Sequence, residues 1–240
     1  MRQLRPDLYG IRGWVGSLHL LVDGSDLVLM DAGFFGDFQR VQRAVAELGR
    51  RPGDLKVILL THGHFDHTMN AAQLQRWSGA TVYAPAGDEL HVDGRHPYRG
   101  PSRVCGCLEA LGRVITCYRP PRVDRWLCDG EELPLWGGLR VVALPGHTAG
   151  HAGYFSPSKR VFFVGDTFAF SWRVAMPPSI FNVNTPQVRE SLCKAAQFDV
   201  DMFVPAHYFG LELTAVQRVR ERAQRLASER KGRTSTPPPS

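Results

Sequence analysis

The stretch that decides the fold is residues 61–67, THGHFDH, which holds three histidines and one aspartate. Residues 56–61 (KVILLT), which lead into it, form an apolar run with the length and composition of a buried strand. Imidazole nitrogen and carboxylate oxygen are both ligands that zinc accepts. The pattern therefore predicts a rigid strand that holds a cluster of metal ligands at its end.

Three later segments repeat this arrangement of an apolar run followed by one ligand-type residue. The run VVALPG precedes His147, VFFVG precedes Asp166, and MFVPA precedes His207. Each of these residues lies just past its run, where a strand gives way to a loop at the edge of a sheet. We therefore expect all three at the sheet edge that carries the histidine cluster.

The spacing within the cluster predicts how its side chains divide between ions. His62 and His64 are separated by one residue, so in an extended segment they point to the same side and can hold one ion together. Asp66 and His67 lie past the turn, in the first turn of a following helix, and can serve a second ion. One zinc ion takes about four ligands, fewer than the chain offers. Asp166 is the candidate bridging carboxylate of a site whose two ions lie within roughly 4 Å.

The order of predicted elements is that of an α/β protein. A hairpin is predicted over residues 18–30, helices over 37–49, 67–77, 187–196 and 212–227, and further strands over 57–60, 79–84, 139–144, 161–164 and 202–204. This order indicates two β-rich halves with helices on their outer faces. We expect one domain over residues 1–230, an irregular insertion at about 85–135 with a short helix near 104–111, and a disordered tail over 231–240.

The quoted motifs resemble those of the metallo-β-lactamase superfamily. THGHFDH matches its H-x-H-x-D-H signature, and PGHT at His147, GD at Asp166 and PAH at His207 match its other metal-binding stretches in the same order. The resemblance covers about residues 15–210 and implies a four-layer αββα sandwich. It also implies one metal on His62, His64 and His147, a second on Asp66, His67 and His207, and Asp166 as a bridge beside a water or hydroxide.

The charge of the chain is concentrated near its C-terminal end. The net charge is +6, and residues 218–233 hold seven basic and two acidic residues, so the rest of the chain is nearly neutral. A basic segment of this kind is typical of a solvated helix face followed by a tail. We therefore do not expect a nucleic-acid partner.

Several global features indicate the class of protein. No apolar run approaches the roughly 20 residues that cross a membrane, and the first residues lack the apolar core of a signal peptide. The five cysteines, four of them within residues 105–128, are interpreted as reduced thiols of an intracellular protein. We expect a cytoplasmic protein that acts on a small-molecule substrate and has no membrane partner. A homodimer is an open alternative.

The resemblance and the ligand chemistry together favour a dinuclear zinc hydrolase, with iron or manganese as alternative metals. Its hydroxide would attack an ester-type carbonyl such as a lactone or thioester. The predicted catalytic residues are Asp66, which orients the nucleophile and passes a proton to the leaving group, and His64. A phosphodiester nuclease acting on RNA and a mono-iron enzyme similar to persulfide dioxygenases remain as alternatives, with a β-lactamase as a minor one.

Other residues near the motifs are interpreted as supporting, structural or substrate-contacting residues. His151 is interpreted as a residue that supports the ligands, and Tyr208 as a packing residue or a hydrogen-bond donor to the substrate. His91 and His96 are structural or contact the substrate. The aromatic residues beside the motifs form either the core or the walls of a pocket: Phe34, Phe35, Phe168, Phe170 and Trp172.

Overall fold

Two β-sheets form the centre of the computed structural model, which describes residues 1–209 and 212–234, with side chains up to residue 229. The strands are β1 (Arg2–Arg5), β2 (Leu8–Arg12), β3 (Ser17–Asp23), β4 (Asp26–Met30), β5 (Leu55–Leu59), β6 (Thr81–Pro85), β7 (Arg125–Leu127), β8 (Glu132–Leu133), β9 (Leu139–Ala143), β10 (Ala152–Ser156), β11 (Val161–Gly165), β12 (Ala169–Phe170), β13 (Val174–Ala175) and β14 (Met202–Pro205). The α-helices are α1 (Asp37–Glu47), α2 (Phe65–Thr68), α3 (Ala71–Ser78), α4 (Glu89–Val92), α5 (Arg103–Ile115), α6 (Thr185–Ala195) and α7 (Val216–Thr234).

The sheet topology separates the two halves of the chain. The first sheet has the order β1-β2-β3-β4-β5-β6-β7, antiparallel as far as β4 and parallel from β4 to β7. The second has the order β14-β11-β10-β9-β8, antiparallel except for the parallel pair of β11 and β14. The hairpin β12–β13 lies apart as a small sheet of its own.

Alternation along the strands places the core on both faces of the first sheet. In β4, Leu27 and Leu29 face a cluster that contains residues of α1 and α3, whereas Val28 and Met30 face the cluster shared with the second sheet. Successive side chains of a strand point to opposite faces, so a strand covered on both sides is apolar throughout. The shared cluster also takes in residues of α6 and α7, which completes the predicted αββα sandwich.

The helix predicted over residues 67–77 is interrupted, because the structure contains two short helices there. The break falls at Asn70, whose side-chain amide donates to the carbonyls of Ala32 and Phe34 at 2.9 and 2.7 Å. These two bonds fix Asn70 to the loop after β4, and its backbone (φ −98°, ψ 1°) departs from α-helical values. Beyond the break, α3 packs on the outer face of the first sheet, where Ala71 and Leu74 are buried.

The segment 85–135 is more regular than the sequence predicts. It holds α4, the 13-residue helix α5 and two strands, of which β7 extends the first sheet. The strands β1, β2 and β10 are also absent from the sequence prediction. Helix α7 runs to Thr234, four residues into the predicted disordered tail, and residues 235–240 lie outside the described residues.

Two further features bear on the class of protein. None of the helices in the described part of the chain is long and apolar enough to span a bilayer. The outer face of α5 carries exposed Val104, Leu108, Leu111, Val114 and Ile115. Its inner face packs towards the edge of the first sheet at which β5 ends.

Candidate metal centre

All seven predicted ligand residues meet at one edge of the two sheets. Three overlapping sets each bring their ligand atoms within 4.8 Å of one another: His62, His64 and His147; His62, His67 and Asp166; and Asp66, His67 and His207. The first and third sets correspond to the two ligand groups that the sequence motifs imply. The seven residues therefore form one cluster with two overlapping halves.

The first half joins the two sheets through three histidines. His62 and His64 follow β5, and His147 reaches them from the loop after β9. The Nδ1 atom of His64 lies 2.9 Å from Nε2 of His147. All three side chains are buried.

The second half is held by Asp66, His67 and His207, with Asp166 between the halves. Asp66 and His67 lie in the first turn of α2, as predicted from the sequence. Asp166 reaches Nε2 of His67 at 3.6 Å, Nε2 of His207 at 3.2 Å and Nε2 of His147 at 3.4 Å. Because this carboxylate contacts histidines of both halves, its position matches the bridging role predicted for it.

Hydrogen bonds to Nδ1 fix the orientation of four ligand histidines. Nδ1 of His67 contacts Asp31 Oδ2 at 3.0 Å, Nδ1 of His147 contacts Asn182 Oδ1 at 3.0 Å, and Nδ1 of His207 contacts the Val15 carbonyl at 3.1 Å. These oxygens only accept, so each Nδ1 carries a proton and Nε2 is the ring nitrogen that faces the centre. Outer bonds of this kind orient the histidines of metal sites.

The fourth histidine, His62, is oriented through Thr61. The Thr61 hydroxyl donates to Asp31 and therefore accepts from Nδ1 of His62, which lies 3.0 Å away. Asp31 thus supports both His62 and His67, and it also accepts from the Thr61 backbone N–H at 2.8 Å. Asp31 follows the hairpin predicted over residues 18–30 and was not identified from the sequence as a site residue. Its position directly after the apolar run of β4 is the same signal that predicted the candidate ligands.

His151 supports the bridge, in agreement with its interpretation from the sequence. Its Nδ1 donates to the Leu144 carbonyl at 3.0 Å, and its Nε2 accepts from the backbone N–H of Asp166 at 2.9 Å. Burial lowers the pKa of His151 to about 4. The neutral ring therefore persists at pH 7 and holds the end of β11 in place.

Asp88 ties the two ligand loops together and was missed by the sequence analysis. This buried carboxylate accepts from the backbone N–H of Gly63 at 2.7 Å, the hydroxyl of Thr148 at 2.6 Å and the backbone N–H of Gly150 at 2.7 Å. The first partner lies between His62 and His64, and the other two follow His147. One side chain from the segment 85–135 therefore sets the distance between loops of different sheets.

Helix α5 supports the short helix that carries Asp66. Glu109 of α5 accepts from the backbone N–H of Phe65 at 2.7 Å and from the hydroxyl of Tyr98 at 2.7 Å. The guanidinium of Arg113 lies 4.5 Å from the centre of the Tyr118 ring and 5.5 Å from that of Phe65. The segment predicted as an irregular insertion is thus a structural wall of the site.

The charges in the cluster oppose one another. Burial works against ionisation of Asp166, but the charges of His207 and His67 hold its pKa well below the usual range. The charge of Asp166 raises the pKa of His207 to about 9. Burial lowers the pKa of His62 and of His64 well below the usual range, which keeps both rings neutral. Neutral imidazole and ionised carboxylate are the forms that bind metal.

The donor atoms fit a cation. Nε2 of His62 and Oδ1 of Asp166 are buried and have no hydrogen-bond partner within the described part of the chain. Buried polar atoms are nearly always hydrogen-bonded, so two unpaired atoms in a cluster of potential metal ligands need an explanation. A divalent ion held by these lone pairs supplies it.

The remaining predicted residues divide between core and surface. Phe168 and Phe170 are buried in the core, and Tyr208 stacks on His19 with ring centres 5.8 Å apart. Tyr208 is therefore a packing residue. Trp172 is 83 % exposed and lines a separate cavity.

The two histidines of the segment 85–135 stack on each other outside the ligand sets. The ring centres of His91 and His96 lie 3.6 Å apart, and His91 Nδ1 lies 3.2 Å from Asp88. His91 is buried beside the carboxylate that spaces the ligand loops. These contacts give both residues structural positions.

An aromatic group that the sequence revealed in part lies beside the cluster. Phe34 and Phe35 contact each other with ring centres 4.4 Å apart, and both contact Trp14, at 6.2 and 6.0 Å. Phe34 also meets the ring of Phe65, which lies between His64 and Asp66. Trp14 is 70 % exposed, so the group forms an apolar wall that is open to solvent.

The fold and the motifs of the site define one protein superfamily. The sequence profile of the Metallo-beta-lactamase superfamily matches residues 11–207, and the chain belongs to this family. A metallo-beta-lactamase family protein of Thermus thermophilus superimposes with a TM-score of 0.75 at 23 % identity, over 96 % of this chain and 81 % of that chain. BJP-1, a subclass B3 metallo-beta-lactamase of Bradyrhizobium japonicum, gives a TM-score of 0.68 at 20 % identity, over 97 % and 92 %. These identities show the fold alone.

Two curated relatives are similar in sequence. Hydroxyacylglutathione hydrolase GloC of Haemophilus influenzae is 30 % identical over 151 residues, which are 60 % of this chain and 62 % of the relative. The probable metallo-hydrolase YflN of Bacillus subtilis is 27 % identical over 224 residues, 84 % of this chain and 83 % of the relative. The chain therefore spans less than two thirds of the first relative and most of the second.

Proposed function

We propose that the protein is a dinuclear zinc hydrolase that cleaves an ester-type carbonyl substrate such as a lactone or thioester. The observation that carries this proposal is the position of Asp166, within 3.6 Å of histidines from both ligand groups. His62, His64 and His147 would hold one ion, and Asp66, His67 and His207 the other. Bound in pairs, such ions polarise a carbonyl and lower the pKa of a water that they share.

Asp66 is the side chain with access to a reacting group. Its carboxylate is 29 % exposed, more than Asp166 or His67, and lies 3.6 Å from Nε2 of His67 and 3.8 Å from Nε2 of His207. A carboxylate at the open side of the cluster can orient a water and receive its proton. The same group can then pass that proton to the leaving oxygen or sulfur. His64 contributes by holding the opposite half of the site.

The apolar wall favours a substrate with a hydrophobic acyl part. Trp14, Phe34 and Phe35 extend from the ring of Phe65 to solvent, so an acyl chain that leaves the cluster can lie along them. Burial of such a chain supplies binding energy away from the reacting bond. The relative named hydroxyacylglutathione hydrolase supports an acyl thioester as one member of this substrate class.

The proposal is tested by acid release from the zinc-loaded protein in a pH-stat. A medium-chain acyl-homoserine lactone and an acyl thioester are assayed side by side with His64→Ala, Asp66→Asn and the control His96→Gln. We expect turnover of at least one substrate, its near-complete loss in the first two variants, and wild-type turnover in the control, because His96 lies outside the ligand sets.

Other results would contradict the proposal. Wild-type turnover by His64→Ala would show that the cluster takes no part in the reaction. If His96→Gln lost turnover but kept its bound metal, the reaction would depend on a residue outside the ligand sets. Cleavage of RNA in place of both carbonyl substrates would favour the nuclease, and activity with one iron per chain on a persulfide would favour the mono-iron alternative.

A further inference from the structure

A second cavity, separate from the metal centre, lies between the hairpin β12–β13 and the helices α6 and α7. Its volume is about 530 Å³. Small-molecule sites have volumes of about 300–1,000 Å³. Its lining includes Trp172, Arg173, Arg189, Arg218, Arg222 and Arg225, and none of the seven ligand residues of the metal centre.

The cavity carries an excess of positive charge. Five of its lining residues are arginines, and Glu221 is the single acidic residue of the lining. Glu229 contacts Arg189 at 3.2 Å and Arg222 at 4.0 Å, so one carboxylate lies between two guanidinium groups. Arg173, Arg218 and Arg225 form no ion pair with any side chain described up to residue 229. Like charges around one concavity raise the local concentration of anions.

The type of residue narrows the chemistry of the ligand. Guanidinium is planar and donates two parallel hydrogen bonds, which suits phosphate oxygens. Trp172, 83 % exposed, places an indole beside these guanidinium groups. A flat aromatic surface stacks on a planar ring, as proteins that bind nucleic acid bases show. Arginines with an exposed tryptophan therefore match a ligand with phosphates at one end and a ring at the other.

We propose that this cavity binds a small phosphate ester that carries a planar ring, with a nucleoside diphosphate as the simplest member of the class. The arginines of α7 would contact the phosphates and Trp172 the ring. A long nucleic acid is disfavoured because the positive charge is gathered around one concavity and the rest of the chain is nearly neutral. The proposal does not depend on the reaction at the metal centre.

The position of the hairpin requires a control for the metal centre. The backbone N–H of Phe170 in β12 donates to the carbonyl of His207 at 3.0 Å, so the cavity and the centre are connected through one strand. A diphosphate also binds divalent ions directly. Binding at the cavity must therefore be separated from binding at the metals.

The test is isothermal titration of the zinc-loaded protein with ADP, pyrophosphate and adenosine at low salt. The variants are Arg218→Gln combined with Arg225→Gln, both exposed cavity residues without ion pairs, and Trp172→Ala. Arg220→Gln removes one positive charge from the same helix outside the cavity lining, and it is the matched control for the single variants Arg218→Gln and Arg225→Gln, which are measured beside the double variant. Circular dichroism of each variant verifies that it is folded.

We expect ADP to bind at one site. Its Kd should rise by about tenfold or more in the double variant, which corresponds to roughly 1.4 kcal/mol of binding free energy. The Kd of Arg220→Gln for ADP should lie within about twofold of the wild-type value. Trp172→Ala should weaken ADP and leave pyrophosphate unchanged.

Four outcomes would overturn the proposal. ADP could fail to saturate the wild-type protein at millimolar concentration. Its binding could persist in the double variant, which would place it at the metals. It could weaken equally in Arg220→Gln, which would make it an effect of net charge. A single-stranded oligonucleotide could bind more tightly than ADP with a steep salt dependence, which would indicate a nucleic-acid surface.

Discussion

The metal centre and the arginine cavity differ in how their charges are matched. At the centre, each ligand histidine lies near a carboxylate or a second ring, and four of the five are oriented by a hydrogen bond to Nδ1 or its equivalent through Thr61. In the cavity, five arginines share two nearby carboxylates and the lining is open to solvent. A buried site must pair its charges within the folded protein, because an unpaired buried charge is costly. An open site can carry an excess of one charge, which a ligand of the opposite charge then neutralises.

The largest expected effect comes from removing the carboxylate between the two halves of the centre. Asp166→Asn should lower turnover by on the order of 10³-fold, because it removes charge from the position that contacts both ligand groups. Metal content per chain, measured by elemental analysis beside the pH-stat rate, should fall as well. Asp199→Asn, an exposed aspartate, is the control, and equal losses in both variants would contradict the bridging role.

The stability of the centre depends on Asp88. Asp88→Ala should lower the free energy of unfolding by about 3–5 kcal/mol, because it leaves buried donors of both ligand loops without an acceptor. Asp93→Ala, which removes an aspartate paired with the exposed Arg95, should cost under about 1 kcal/mol. Urea unfolding measures both values. A loss under about 1 kcal/mol for Asp88→Ala would show that the loops are spaced by other contacts.

The same residue predicts a pH dependence. Burial opposes ionisation of Asp88, but the bonds and charge of His91 and the bond from Thr148 lower its pKa below the usual 3.8. A carboxyl whose pKa is lower in the folded state stabilises the protein fully above about pH 4 and loses this effect as the pH falls through the folded pKa. The stability difference between wild type and Asp88→Asn should therefore shrink below about pH 4. A constant difference from about pH 6 to about pH 3 would contradict this account.

A smaller effect is expected from the residue that orients two ligands. Asp31→Asn should weaken metal binding by about 10–100-fold, since Asp31 holds His67 directly and His62 through Thr61. Competition with a chelator measures the affinity. Asp26→Asn, at the other end of β4, is the matched control and should keep wild-type affinity.

The smallest expected effect comes from Trp14 of the apolar wall, which is compared with Trp172 of the arginine cavity. Trp14→Ala should raise KM for a long-chain substrate by about tenfold, equivalent to about 1.4 kcal/mol, and leave a short-chain substrate unchanged. Trp172→Ala should leave both KM values unchanged and weaken ADP alone. If either variant impaired both functions, the apolar wall and the arginine cavity would not be independent sites.

The sequence predicted which residues meet at the candidate metal centre because their signals are local. The alternation of His62 and His64 and the helical turn of Asp66 and His67 follow from the period of each element, and the motifs in order predicted the family. Asp88, Glu109 and Asn182 could not be found in this way, since each acts on a loop distant in sequence and carries no motif of its own. The break at Asn70 escaped detection for the same reason, because its partners lie in the loop after β4.

The placement of the ligands on both sheets has a consequence for the order of assembly. His62, His64, Asp66 and His67 come with the first sheet, whereas His147, Asp166 and His207 come with the second. The last of these follows β14, which pairs in parallel with β11 through a crossover connection that contains α6. A complete centre therefore exists only in a chain whose final strand is in place. Ions held by all seven residues would therefore stabilise the finished sandwich alone, because an unfinished one lacks part of the donor set.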